Sequence, residues 1–264
     1  MVLLFLSALA VQEIAWEPAV PVQGSLIVIS APGALTGDLA GEPLHFRDGQ
    51  ALAAVPLSTS SSAGVVVLYL RWDGTIQGKS VRVPVSERPA SRERISVSRR
   101  FTEPPDSALQ VRIDRERALS RDAARRAHTV PPLWHAPFLR PRDARVTSRF
   151  GGGRVVNGVR RSTHYGVDLD GRSGEPIKAA NRGVIALTGS FFYGGNSVYL
   201  HHGDGLMTVY HHMSRILVAV GDTVERGQVI GRVGATGRVT GPHLHWGAQY
   251  GAISFDPDDL LKLP

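Results

Sequence analysis

The sequence predicts a mainly β chain with one helical arm set into it. Three observations carry that reading. Between residues 16 and 85, β-branched runs alternate with Gly, Pro and Asp turn signals. Residues 108–127 contain neither Gly nor Pro and few β-branched side chains, which favours one helix of about five turns. Beyond residue 141, the histidines fall in short pieces that read as strands, where alternate side chains share a face.

The elements follow in chain order. Residues 2–10 are apolar and end in Ala8, Leu9 and Ala10, the small-x-small form of a signal-peptidase site. The first basic residue is Arg47, so this run lacks the usual positive leader. Residues 1–10 are read as a signal segment, too short to span a bilayer, and the protein is expected in the periplasm or outside the cell. Residues 11–87 are expected to form a small antiparallel β-sandwich, with strands at 25–29, 64–70 and 79–85 and turns at 31–33 and 72–74. Residues 88–140 form an Arg-rich linker. It opens with a strand-like 94–98, and Pro104, Pro105, Asp106 and Ser107 announce the helix, with Asp106 or Ser107 as its cap. Pro131 and Pro132 stop it, and residues 141–264 form the last domain.

Composition narrows the function. With 264 residues and 42% hydrophobic content, two modest domains can each bury a core. The absence of cysteine excludes disulfides, thiolate metal sites and a cysteine nucleophile. The net charge of +7 is uneven: residues 1–87 carry −3, residues 88–149 carry +8 and residues 150–264 carry +2. A cationic arm suits any polyanion, including acidic wall polymers. No nucleic-acid motif is present, and the 7% aromatic content is not gathered into a stacking platform, so no nucleic acid is expected.

Three pieces carry chemistry: His164 to Asp168, Thr208 to His212, and Gly241 to His245. By strand alternation His243 and His245 share one face, with Leu244 and Trp246 on the other. The same rule groups Thr208, Tyr210 and His212, and sends Val209 and His211 to the opposite side. His211 is therefore expected to face away from the site. His201 and His202, before Gly203, Asp204 and Gly205, read as surface turn residues. Without cysteine, an open catalytic zinc site needs three imidazole or carboxylate ligands and a water. His164, Asp168 and one histidine of the 243/245 pair supply that set, leaving the other and His212 as proton carriers.

These pieces, in this order, resemble the LytM/lysostaphin-type zinc metalloendopeptidases, which cut peptide cross-links in bacterial peptidoglycan. The resemblance extends over residues 146–257. It includes Ser148, Phe150 and Gly151 of an opening Ser-x-Phe-Gly, Ala180, Gly183 and Val184 of an Ala-x-x-Gly-x-Val strand, and the hairpin from Val220 to Gly231. It implies one zinc per chain on His164, Asp168 and His245, with His212 and His243 as the catalytic pair. It also implies a compact antiparallel β domain of the duplicated hybrid motif type, acting on peptidoglycan stem and cross-link peptides. Residues 11–87 resemble, by layout, the β-sandwich that some envelope members carry ahead of this domain. The competing expectation is a catalytically inactive wall-binding regulator. A biotinyl or lipoyl carrier, suggested by the hairpin at 220–231, is excluded because Lys79, Lys178 and Lys262 all lie outside it.

Overall fold

The computed structural model describes residues 13–59, 65–72 and 78–264. The expected signal segment and residues 73–74 of the turn expected at 72–74 lie outside the described residues, and Trp72 ends a strand. The architecture is mainly β, and one α-helix occurs among the described residues.

The N-terminal region consists of two antiparallel sheets. One orders Ala15–Glu17, Leu26–Ser30 and Gln50–Ala54, and the other Glu42–Pro43, Ala34–Leu39, Val65–Trp72 and Lys79–Pro84. Ile27, Ile29, Ala53, Leu39, Leu68, Leu70 and Val83 are buried in one core, the layout of a small sandwich. Two of its strands, Ala34–Leu39 and Gln50–Ala54, carry little β-branched signal. Tertiary pairing makes them strands: Gly37 lies so close to the Tyr69 carbonyl that an added Cβ would sit 2.4 Å from it.

The expected helix is present as Ser107–Ala127, with the Asp106 carboxylate accepting from the Leu109 amide at 2.8 Å. Ile113, Ala123, Ala124 and Ala127 are its buried face, and Ala123 and Ala124 pack on Tyr199, Met207 and Val209. The strand expected at 94–98 lies instead at Arg92–Ile95, where it runs parallel to Gly153–Val156 of the Gly153–Val156/Arg160–Thr163 hairpin. A short 3-10 turn, Arg99–Phe101, buries Phe101 against Phe192 at 5.1 Å between ring centroids.

The C-terminal half is built on an eight-stranded antiparallel sheet. Its path runs Thr223–Val224, Gly183–Phe191, Gly195–Gly203, Leu206–Met213, His243–Tyr250, Val167–Asp170 and Val146–Ser148, with Ile253–Phe255 also on His243–Tyr250. A smaller sheet orders Pro176–Lys178, Val229–Arg232 and Arg215–Ile216. The buried apolar residues of both halves form one continuous core. Polar ties cross the same junction: Arg88 to Asp256 at 3.0 Å, Arg47 to Asp204 at 2.7 Å, and the Tyr250 hydroxyl donating to the Pro43 carbonyl at 2.7 Å. No helix among the described residues is long and apolar enough to cross a membrane.

Candidate active site

Four neighbouring strands set Ser148, Asp168, His245 and His211 in one row. Asp168 is opposite Ser148 on one side and His245 on the other, and His245 is opposite His211. Directly opposed residues of antiparallel strands point to the same face. The other face carries Leu169, Leu244, Trp246 and Tyr210, all fully buried. Apolar side chains below thus hold polar ones above at fixed spacing.

His164 reaches the row from the turn that enters Val167–Asp170. Its Nε2, Asp168 Oδ1 and His245 Nδ1 lie 2.9 Å from one another. The His164 proton sits on Nδ1, which donates to the Arg149 carbonyl at 2.9 Å, since a carbonyl can only accept. His164 Nε2 is therefore the ring nitrogen turned to Asp168 Oδ1 and His245 Nδ1, where a shared cation could take the place of a proton. Burial pushes the Asp168 carboxyl up, but contact with His164 and His245 outweighs it and holds the group well below the usual carboxylate range. Burial pushes His245 down to about 4, partly offset by Asp168. Asp168 and His245 are then in the deprotonated form that metal binding needs. These three residues are the group that can hold a metal ion among the described residues. Gly166 makes the packing possible, because a Cβ there would sit 2.6 Å from the His245 ring.

The second Asp168 oxygen is taken by Arg154, whose guanidinium also donates to Ser148 Oγ at 2.9 Å and to Glu93 at 3.2 Å. Ser148 in turn donates to Glu93 Oε1 at 2.7 Å. Arg154 leaves only Oδ1 facing the histidines and so fixes the carboxylate as a one-oxygen donor. Sequence reading missed both partners. Arg154 lies three residues past the Ser-x-Phe-Gly motif, but Glu93 reaches the site through the parallel pairing of Arg92–Ile95, about 60 residues away in sequence.

His243 and His212 flank the triad. His243 Nδ1 donates to the Gly241 carbonyl at 2.9 Å, and its Nε2 is 3.6 Å from Asp168 Oδ1. His212 Nδ1 donates to the Thr236 carbonyl at 2.9 Å, and its ring lies 4.9 Å from that of His243. Each contact fixes the tautomer, leaving Nε2 as the acceptor. Burial, reinforced by the neighbouring histidines, pushes His212 well below its ordinary value.

The alternation expected for residues 208–212 fails here, and the reason is a bulge. Val198 pairs with Tyr210 and Asn196 with Met213, so two residues oppose the single Ser197. His212 takes up the extra length at φ +67°, in the left-handed region that a non-glycine residue seldom occupies. That turn swings it to the triad side. His211, expected to face away, stands on the same side: its ring stacks on His245 at 5.3 Å and 22°, and its Nδ1 lies 2.7 Å from Ser197 Oγ. Burial pushes His211 down to about 3. His201 and His202, expected at the surface, lie buried in Gly195–Gly203. His202 Nδ1 donates to the Arg182 carbonyl at 2.8 Å and its Nε2 accepts from Thr208 Oγ1 at 2.8 Å, so it is structural.

The sequence profile of peptidase family M23 matches residues 162–257, which span the triad and both flanking histidines. The C-terminal half of the chain carries a peptidase family M23 domain. Peptidoglycan DD-endopeptidase ShyA of Vibrio cholerae is 44% identical over 103 residues, covering 39% of this chain and 24% of that protein. Peptidoglycan DD-endopeptidase ShyC of the same organism is 42% identical over 131 residues, covering 48% and 30%. A putative peptidase M23 from Pseudomonas aeruginosa has a similar structure, with a TM-score of 0.71 and 29% identity, covering 91% of this chain and 95% of that one. The matched segment spans only 24–30% of the two curated M23 relatives, whereas the likeness to the Pseudomonas structure runs through the N-terminal sandwich as well.

Proposed function

We propose that this protein is a zinc-dependent endopeptidase that hydrolyses peptide cross-links of bacterial peptidoglycan. The observation that carries the reading is the convergence of His164 Nε2, Asp168 Oδ1 and His245 Nδ1, with Nε2 of His243 beside them. Two imidazoles and one ionised carboxylate are a ligand set that zinc accepts in open catalytic sites. When bound, zinc supplies Lewis acidity, polarising a carbonyl oxygen and making water nucleophilic near neutral pH.

His243 and His212 begin as acceptors at Nε2. One takes the proton of the attacking water as the new C–O bond forms. The imidazolium so made returns it to the leaving nitrogen as the C–N bond breaks. Arg154 keeps the Asp168 carboxylate turned, and His211 steadies the His245 ring by stacking. The two relatives named as DD-endopeptidases favour a bond between D-configured residues as the target.

Export to the periplasm or cell surface follows from such a substrate, and residues 141–264 are the unit that carries the chemistry. The N-terminal sandwich is assigned a positioning role on the wall. The exposed helix arginines give the linker arm a cationic face suited to anionic envelope polymers. The function is tested by incubating zinc-loaded and chelated protein with purified cross-linked muropeptides and weighing the products. Loss of the dimer, with fragments that sum to its mass plus one water only in the zinc-loaded sample, is expected. Intact dimer in both samples contradicts it.

A further inference from the structure

Beside the metal row, the helix and the hairpin of Gly183–Phe191 and Gly195–Gly203 enclose a cavity of about 290 Å³. Arg117, Ser120 and Arg121 line it from the helix, and Tyr193, Tyr199 and His211 line it from the sheet. We propose that this cavity is a subsite for a free carboxylate on the peptide substrate, gripped by Arg117 and Arg121. The inference rests on the hydrolase reading and adds to it a chemical preference, supplied by the segment that precedes the M23 domain.

Position is the first argument. His211 lines the cavity, and its ring stacks on the triad's His245. The cavity therefore adjoins the metal row through a single ring, close enough for a substituent near the reacting bond to enter it. Rigidity is the second. Glu116 accepts from Arg112 at 2.8 Å and from the Phe192 amide at 2.8 Å, while Arg112 donates to the Ser190 carbonyl at 3.1 Å. Ser120 hydrogen-bonds Tyr199, and Ala123 and Ala124 are buried below. The helix is thus tied to the hairpin, and its arginines are presented on a fixed frame.

Charge is the third argument. The one carboxylate in the lining, Glu116, is already engaged by Arg112 and the Phe192 amide. Arg121 has no ion-pair or hydrogen-bond partner among the described residues. Arg117 meets only Asp114, at 3.3 Å with both side chains more than half exposed, a pair worth little. Two guanidiniums free to form forked hydrogen bonds at the edge of a cleft suit a carboxylate. The volume holds about ten waters at roughly 30 Å³ each, enough for an acidic side chain rather than a lone ion.

The test uses two synthetic cross-linked peptides that differ only in whether the carboxyl beside the scissile bond is free or a carboxamide. Zinc-loaded wild-type protein should show a KM about tenfold lower for the free carboxylate, the scale of one charge-assisted hydrogen bond. The double variant Arg117→Gln/Arg121→Gln should bring the KM ratio to about one, and Arg121→Glu should invert it. Arg115→Gln, on the same helix but outside the cavity, should keep the tenfold preference. Calorimetry with zinc-free protein reads the same preference without turnover. Protein that binds with the preference but cuts neither peptide fails as a hydrolase and keeps the subsite. Equal KM values in the wild type, or a preference that survives the double substitution, overturns the subsite alone.

Discussion

The two parts of the site are built by different means. Asp168 and His245 face each other in unbroken antiparallel register over apolar side chains, although the pairing on the Ser148 side of Asp168 shifts next to it. His212 stands on a bulge at φ +67°, held by the loop carbonyl of Thr236. Register places two of the three proposed metal ligands, Asp168 and His245, whereas backbone strain and a loop place His212, one of the catalytic candidates. The lesson is that metal binding and proton transfer should fail separately.

The largest break is expected at the register side. Asp168→Asn removes the charge from the triad and leaves Arg154 facing a neutral amide. Bound zinc should fall from one equivalent to near none after dialysis, and turnover should fall with it. Plasma emission on the dialysed variant checks this, and a full equivalent of zinc would remove Asp168 from the ligand set. At the bulge side, His212→Ala should keep its zinc and lose about 10²–10⁴ in kcat. If that variant loses metal in proportion to activity, the two parts are not separate.

A gentler test sits between them. Arg154→Gln frees the second Asp168 oxygen, so zinc affinity should drop about 10–100-fold, less than for loss of a ligand. Competition with a fluorescent chelator measures it, and unchanged affinity would reduce Arg154 to a surface tie.

How much of this was legible in the sequence depended on how local the signal was. The helix was readable to within one residue because Asp106, the gap in Gly and Pro, and Pro131 are all local. His164, Asp168 and His245 stood out as a spaced set, and the structure brings their donor atoms together. His211 was misplaced because strict alternation cannot express a bulge, and the tandem His211 and His212 was the available hint. His201 and His202 read as turn residues in the sequence because they stand beside Gly203, Asp204 and Gly205. Burial instead follows from the Thr208 hydroxyl and the Arg182 carbonyl, which meet His202 from other strands. Glu93 was unreadable for the same reason: its strand pairs across about 60 residues.

A further expected effect, on stability and not on the site, concerns the inner face of the sheet. Burial pushes His202 down to about 4 from 6.5, so the unfolded chain takes up its proton first as pH falls. The stability due to neutral His202 is present above about pH 6.5 and is lost as pH drops towards 4. That amounts to about 3 kcal/mol at 1.36 kcal/mol per pKa unit. Urea titration of zinc-free protein across this range should show His202→Gln less stable at pH 7 but with a shallower slope. An unchanged slope would mean that other buried histidines carry the whole acid response.

The most direct test of the account is anomalous diffraction at the zinc edge from crystals of the zinc-loaded protein. One peak is expected, bonded at about 2.0–2.2 Å to His164 Nε2, Asp168 Oδ1 and His245 Nδ1, with Nε2 of His212 and His243 unbonded and a fourth position left to solvent. A peak ligated by His212 or His243, or one closed by a fourth side chain, would contradict the division between metal-binding and proton-carrying histidines.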